Sequence, residues 1–175
     1  MEIARTAQPG AHAPAGRRAG AGRLRGRPRI TYGGSEAYYR TSTDLVNVPE
    51  ASNFHTAEDF YLTTFHELAH STGHSKRLDR ATLTEKASFG SESYAKEELV
   101  AELGAAFLGN AAGLDMALTL PGSASYIANW LQALRNDKRL IISAASQAQK
   151  AANHILGIVP SYEAGEAAEP TEAPE

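Results

Sequence analysis

The chain has 175 residues, 42% of them apolar, with one Trp, two Met and no Cys. That is enough for one domain with its own core and too little for two large ones. Without cysteine there is no disulfide framework, thiolate metal site or thiol nucleophile, so a metal would have to sit on His, Glu or Asp.

The net charge of −3 is unevenly spread. Residues 1–29 hold seven Arg against the single acid Glu2, and residues 162–175 hold five Glu and no base. The stretch between them is mildly acidic and does not read as a nucleic-acid surface. Residues 1–29 lack the apolar segment of a secretory leader, and the uncharged run Met116–Leu134 is broken by Pro121, Gly122 and Asn129. No membrane role and a cytoplasmic protein are therefore expected. The Ala-, Gly-, Arg- and Pro-rich head is expected to be a disordered arm over 1–29, and the acidic end a disordered tail over 161–175. The folded domain is expected over 30–160.

Its first part reads as three short strands, Ile30–Tyr32, Ala37–Arg40 and Leu45–Val48, separated by Gly33-Gly34-Ser35 and by Thr41-Ser42-Thr43-Asp44. The short spacing suggests a small antiparallel meander that ends at Pro49. A helix follows from Thr56, its N-cap, with Glu58 and Asp59 in the first turn and Gly73 as its stop. Residues 75–92 read as polar loop. A second helix is expected from about Ser93 to Gly109 with Leu99, Val100, Leu103 and Phe107 as its apolar stripe, then helices over Ser123–Asn136 and Lys138–Leu156. The fold class is α+β: a small antiparallel sheet packed on the first helix, with three further helices behind it.

The chemistry concentrates in His66-Glu67-Leu68-Ala69-His70. Residues four apart stack on one helix face, so both imidazoles can reach a single Zn2+ from successive turns. Glu67 lies about 100° round the helix, where it can flank the ion without ligating it and act as general base on a water.

A catalytic zinc needs a third protein ligand and an open position. His74 is a poor third ligand, because three imidazoles at successive i+4 positions on a straight helix span about 12 Å. The longer metzincin signature does not fit either, since its third His falls where this chain has Lys76. Glu98 and Glu102, one turn apart on the second helix, fit better. The preferred arrangement has His66, His70 and Glu98 as ligands with Glu102 hydrogen-bonding an imidazole; the reverse assignment of the two acids stays open. Glu97 reads as part of a solvated face. His74 and Tyr126 are candidates for stabilising an oxyanion.

These residues also carry a family resemblance. Ile30-Thr31-Tyr32-Gly33-Gly34, the run Phe65 to His74 followed by Arg77-Leu78, Tyr94 to Glu102, and Tyr126 to Leu131 resemble the zincin-like metallopeptidase domain of the ArdC antirestriction family. The resemblance covers about Arg29 to Leu156. It implies a gluzincin-type site with His66 and His70 as ligands, Glu67 as base and a Glu of the second helix completing the shell, acting on a peptide or protein substrate. Members usually carry an N-terminal single-stranded-DNA-binding domain and protect incoming plasmid DNA from restriction; related domains occur in plasmid primases. Residues 1–29 contain nothing of that kind, so the expectation here is metal chemistry rather than single-stranded-DNA binding. The rival expectation is a non-catalytic antirestriction or interaction module with a structural zinc.

Overall fold

The computed structural model describes residues 26–84, 92–115 and 139–159. The head up to residue 25, the helix expected over Ser123–Asn136 with Tyr126, and the acidic tail lie outside the described residues.

Three strands, β1 (Arg29–Tyr32), β2 (Tyr38–Arg40) and β3 (Leu45–Val48), form one sheet. The helices are α1 (Ala57–Thr72), the short α2 (Ala81–Thr84), α3 (Glu92–Ala112) and α4 (Arg139–Leu156). The architecture is α+β, as expected, and α2 occupies part of the stretch read as loop. Four residues are too few to show helical periodicity in sequence. Among the described residues no helix is long and apolar enough to cross a membrane.

The sheet corrects one expectation. It is not an antiparallel meander: its order is β1-β3-β2, with β2 antiparallel to β3 but β1 parallel to it, Arg29 opposite Leu45 and Tyr32 opposite Val48. The chain leaves β1 through Gly33 and Gly34, both at positive φ (135° and 71°), a conformation open mainly to glycine. The Asn47 side chain in the central strand then ties down the crossover, its amide donating to the carbonyls of Gly33 (3.0 Å) and Glu36 (2.9 Å). Its amide oxygen accepts from the Thr31 hydroxyl at 3.0 Å. One polar side chain in β3 thus fixes both the neighbouring strand and the loop that carries the chain to the far edge.

The period of two along β3 sends Val46 and Val48 inward, both fully buried, while Leu45 and Asn47 stay half-covered on the other face. Beneath this sheet runs α1. Thr56 caps it as expected, its hydroxyl accepting from the Asp59 amide at 3.0 Å. Phe60, near its start, meets Phe54 and Tyr32 with ring centroids 5.5 and 6.2 Å away. On its other side α1 lies against α3, and the two backbones approach closely at Ala69 and Gly104. A Cβ at position 104 would come within 3.0 Å of the Ala69 Cβ. Behind α3, the stripe expected from the sequence packs on α4: Leu99 and Val100, with Leu103 and Phe107, meet Leu140, Ala144 and Ala148.

Arg77 fastens the end of α1 to the sheet. Its guanidinium donates to the Ser71 carbonyl (2.6 Å), to both oxygens of Asp44 and to the Tyr39 hydroxyl (3.2 Å). This holds β2, one of the two edge strands, alongside the helix that bears the two histidines.

Candidate metal centre

α1 is long enough to place His66 and His70 on successive turns of one face, and α3 brings its second turn opposite them. The result is a group of three: His66, His70 and Glu98 each offer a ligand atom, all within 4.8 Å of one another. The two Nε2 atoms are 3.1 Å apart. Glu98 places one carboxylate oxygen 3.6 Å from His66 Nε2 and the other 3.5 Å from His70 Nε2. An ion bound tetrahedrally at roughly 2.05 Å separates its ligand atoms by about 3.3 Å. The group therefore has the size of a tetrahedral metal site.

The surroundings of the two imidazoles point the same way. Behind each ring, Nδ1 faces a carboxylate: Glu97 at 3.2 Å from His70 and Glu102 at 3.4 Å from His66. A carboxylate at Nδ1 holds the proton there and leaves Nε2 as a bare lone pair. Two such lone pairs and a third carboxylate then converge on one point, an arrangement of acceptors alone that a cation resolves. Without a cation the same acids draw a proton onto His66. Burial works against charge on that ring, but the hydrogen bonds to Glu102 and Glu98 prevail and push it up to about 10. For Glu98, burial favours the protonated acid, yet the facing imidazoles bring it below the usual carboxylate range.

Glu67 is buried and stands apart from the three donors. Burial raises its carboxyl above the ordinary value, partly offset by His70, His66 and a backbone hydrogen bond from Tyr39. A carboxylate raised in this way is the better proton acceptor, as a general base requires. Glu67 faces a cavity of about 420 Å³ that also contains His66, His70 and Glu98, with Tyr38, Tyr39, Thr82 and Tyr94 among its walls.

Glu97 departs from its expected place on a solvated face. It is only 4% exposed, because Arg80 binds its carboxylate side-on and Thr82 and His70 complete its partners. Burial alone would raise its pKa; the hydrogen bonds from His70 and Arg80 bring it down to about 2. His74 does not line the cavity, and its Nδ1 accepts the Lys76 amide at 3.1 Å. Tyr126 lies outside the described residues. Sequence reasoning missed Arg80, Thr82 and Tyr94. The first two sit in a stretch without periodicity. Tyr94, whose hydroxyl hydrogen-bonds Glu98, could have been found as the residue one turn ahead of that acid on the same helix face.

A small mixed sheet on a helix with two histidines four residues apart, and a glutamate from a second helix facing them, defines a zincin-like domain. Residues 25–147 match the zincin-like metallopeptidase family, and the chain belongs to that family. It is 45% identical over 125 residues to the protein y4eC of Sinorhizobium fredii, covering 71% of this chain and 39% of that one. It is 42% identical over 121 residues to the DNA primase TraC of Escherichia coli, covering 69% of this chain and 11% of that one. Among solved structures it resembles the antirestriction protein ArdC from plasmid R388. The Mn(II)-bound structure of that protein superposes with a TM-score of 0.62 at 41% identity, covering 74% of this chain and 47% of ArdC. The metal-free structure gives 0.59 at 38% identity, covering 76% and 48%. The chain thus spans less than half the length of each of these proteins.

Proposed function

We propose that this domain is a zinc-dependent peptidase of gluzincin type, with His66, His70 and Glu98 as metal ligands and Glu67 as general base. The observation that carries the reading is the position of Glu67: buried, outside the donor set, and facing the same cavity as the three donors. A structural metal has no use for a fourth, raised carboxylate beside it.

The bound ion would lower the pKa of a water and polarise the scissile carbonyl. The chain's own residues do the rest. The side of β2 that no strand covers among the described residues, where the Tyr39 amide hydrogen-bonds Glu67, receives an extended peptide by strand addition, so the substrate is a peptide or unfolded protein segment. Glu67 takes a proton from the attacking water as oxygen bonds to the carbonyl carbon. It then delivers that proton to the departing amide nitrogen as the C–N bond breaks. We assign Tyr94, one of three tyrosines lining that cavity, to donate to the carbonyl oxygen as it gains charge, in place of His74 and Tyr126. The likeness to ArdC of plasmid R388 supports a setting in antirestriction on mobile elements.

The test is a mixed peptide library incubated with the purified protein, its Glu67→Gln variant, and either one after chelation. The expected outcome is cleavage by the parent, its loss on chelation, and turnover lowered about 10²–10⁴-fold by Glu67→Gln while zinc stays bound. Cleavage that persists unchanged in Glu67→Gln would remove the base assignment. The second reading, a non-catalytic antirestriction module with a structural zinc, draws on the same likeness to ArdC. It is the one left standing if the parent cuts nothing yet melts earlier without metal.

A further inference from the structure

We infer that Gly73 and Arg80 act together as positioning residues for the metal centre: the missing side chain at Gly73 makes the space for the Arg80 guanidinium, which in turn fixes Glu97 against His70. This rests on the reading of His66, His70 and Glu98 as ligands.

Gly73 ends α1 with φ −74° and ψ −6°, right-handed values open to any residue. Backbone conformation therefore gives no reason for glycine here. The surroundings do. A Cβ at this position would lie 2.9 Å from Arg80 Nη2, 3.0 Å from its Cζ and 2.9 Å from Leu83 Cδ2. The guanidinium is pressed against the helix end, and a methyl group would displace it.

In that slot Arg80 binds two elements at once. Toward α1 it donates from Nη2 to the Ala69 carbonyl (2.9 Å) and from Nη1 to the Thr72 hydroxyl (2.6 Å). It thereby adds a cationic donor to the Ala69 and His70 carbonyls of the last helical turn, where a cation is favoured. Toward α3 it grips Glu97 side-on, Nη2 to Oε1 at 2.6 Å and Nε to Oε2 at 3.1 Å, with the Thr82 hydroxyl donating to Oε2 at 2.6 Å. The fork fixes the plane of the carboxylate, and the oxygen left facing α1 is the one that meets His70 Nδ1 at 3.2 Å. The guanidinium also balances a charge that would be costly to bury alone. The orientation of one proposed ligand is thus set by a residue ten positions further along, through space that a glycine leaves open. Lysine cannot replace the fork, having a single ammonium in place of two parallel N–H groups.

The experiment compares the full chain with Gly73→Ala, Arg80→Met, Arg80→Lys and Thr82→Val. It measures zinc affinity by competition with a chromophoric chelator, the visible spectrum after Co2+ substitution, and the melting temperature of the chelated protein. Gly73→Ala and Arg80→Met should each weaken zinc binding about 10–100-fold and shift the cobalt bands, as loss of a partner behind a ligand does. Arg80→Lys should not restore either property, and Thr82→Val should move both in the same direction by less. Parent-like affinity and spectrum in folded Gly73→Ala would overturn the inference. So would a fall in the melting temperature of the chelated variants with no change in affinity. If Arg80→Met does not fold, Gly73→Ala and Thr82→Val decide, since neither removes a charge. A parent that binds no zinc or cobalt overturns the ligand reading itself, a result distinct from a parent and variants that bind equally well.

Discussion

Arg77 and Asp44 form an ion pair across thirty-three residues of sequence, joining the loop after α1 to the turn between β2 and β3. Asp44 stands at positive φ (48°), and its carboxylate also accepts the Tyr39 hydroxyl at 2.9 Å. The pair sets the distance between the histidine helix and the edge strand proposed to hold substrate.

The Arg77 hydrogen bonds hold the Asp44 carboxyl below its ordinary value of 3.8, against a smaller opposing effect of burial. A depressed folded pKa stabilises the protein above the unfolded value, and that contribution is lost as pH falls through the folded one. Asn tolerates the left-handed conformation, so Asp44→Asn removes the charge without backbone strain. In chelator, the melting temperature of Asp44→Asn should lie below the parent's at neutral pH, and the gap should close as pH drops below about 4. A gap that stays constant or widens in acid would contradict this.

The two acids of α3 that face His66 should differ in kind. Glu98→Ala should abolish stoichiometric zinc, since it removes one of three donors. Glu102→Ala, which takes away only the partner of His66 Nδ1, should keep one zinc per chain with affinity lowered about 10–100-fold. Metal content after gel filtration and chelator competition measure both. The opposite pattern would exchange the roles of the two residues.

Contact between α1 and α3 leaves no room for a larger residue at Gly104, because Ala69 is fully buried on a rigid helix and cannot swing aside. Gly104→Val should destabilise the protein by about 1–3 kcal/mol through overpacking. Chemical denaturation would read this as a lower midpoint with little change in slope. A variant as stable as the parent would show that the helices can separate freely.

At the other end of α1, Thr56→Ala removes the acceptor for the Asp59 amide and should cost about 1 kcal/mol. Since the cap lies more than two turns from His66, zinc affinity should stay at the parent value. A matching loss of affinity would show that fraying of the first turn reaches the metal centre.

What could be read from the sequence follows from the range of the forces involved. The histidine pair, the Thr56 cap and the Leu99–Phe107 stripe were legible because each depends on spacing within one helix. Glu97 was not: its burial depends on Arg80, seventeen residues earlier, in a stretch with no period to mark it. The central position of β3 was hidden for a related reason. Strands of three and four residues carry too little pattern to choose their neighbours, and the choice fell to the amide of Asn47 reaching across the sheet. Gly73 reads as a helix stop, and it is one, but the reason for a glycine there lies in a guanidinium that no local rule predicts.

The backing of the two imidazoles is unequal. Behind His70, Glu97 is clamped by an arginine and sealed from water, whereas behind His66, Glu102 is a quarter exposed and meets no arginine or lysine among the described residues. Glu97 is thus fixed by Arg80, Thr82 and His70 together, whereas Glu102 keeps one face to solvent. Loss of the ion should therefore disturb the His66 side first, since Glu102 can yield toward solvent while Glu97 is held by Arg80.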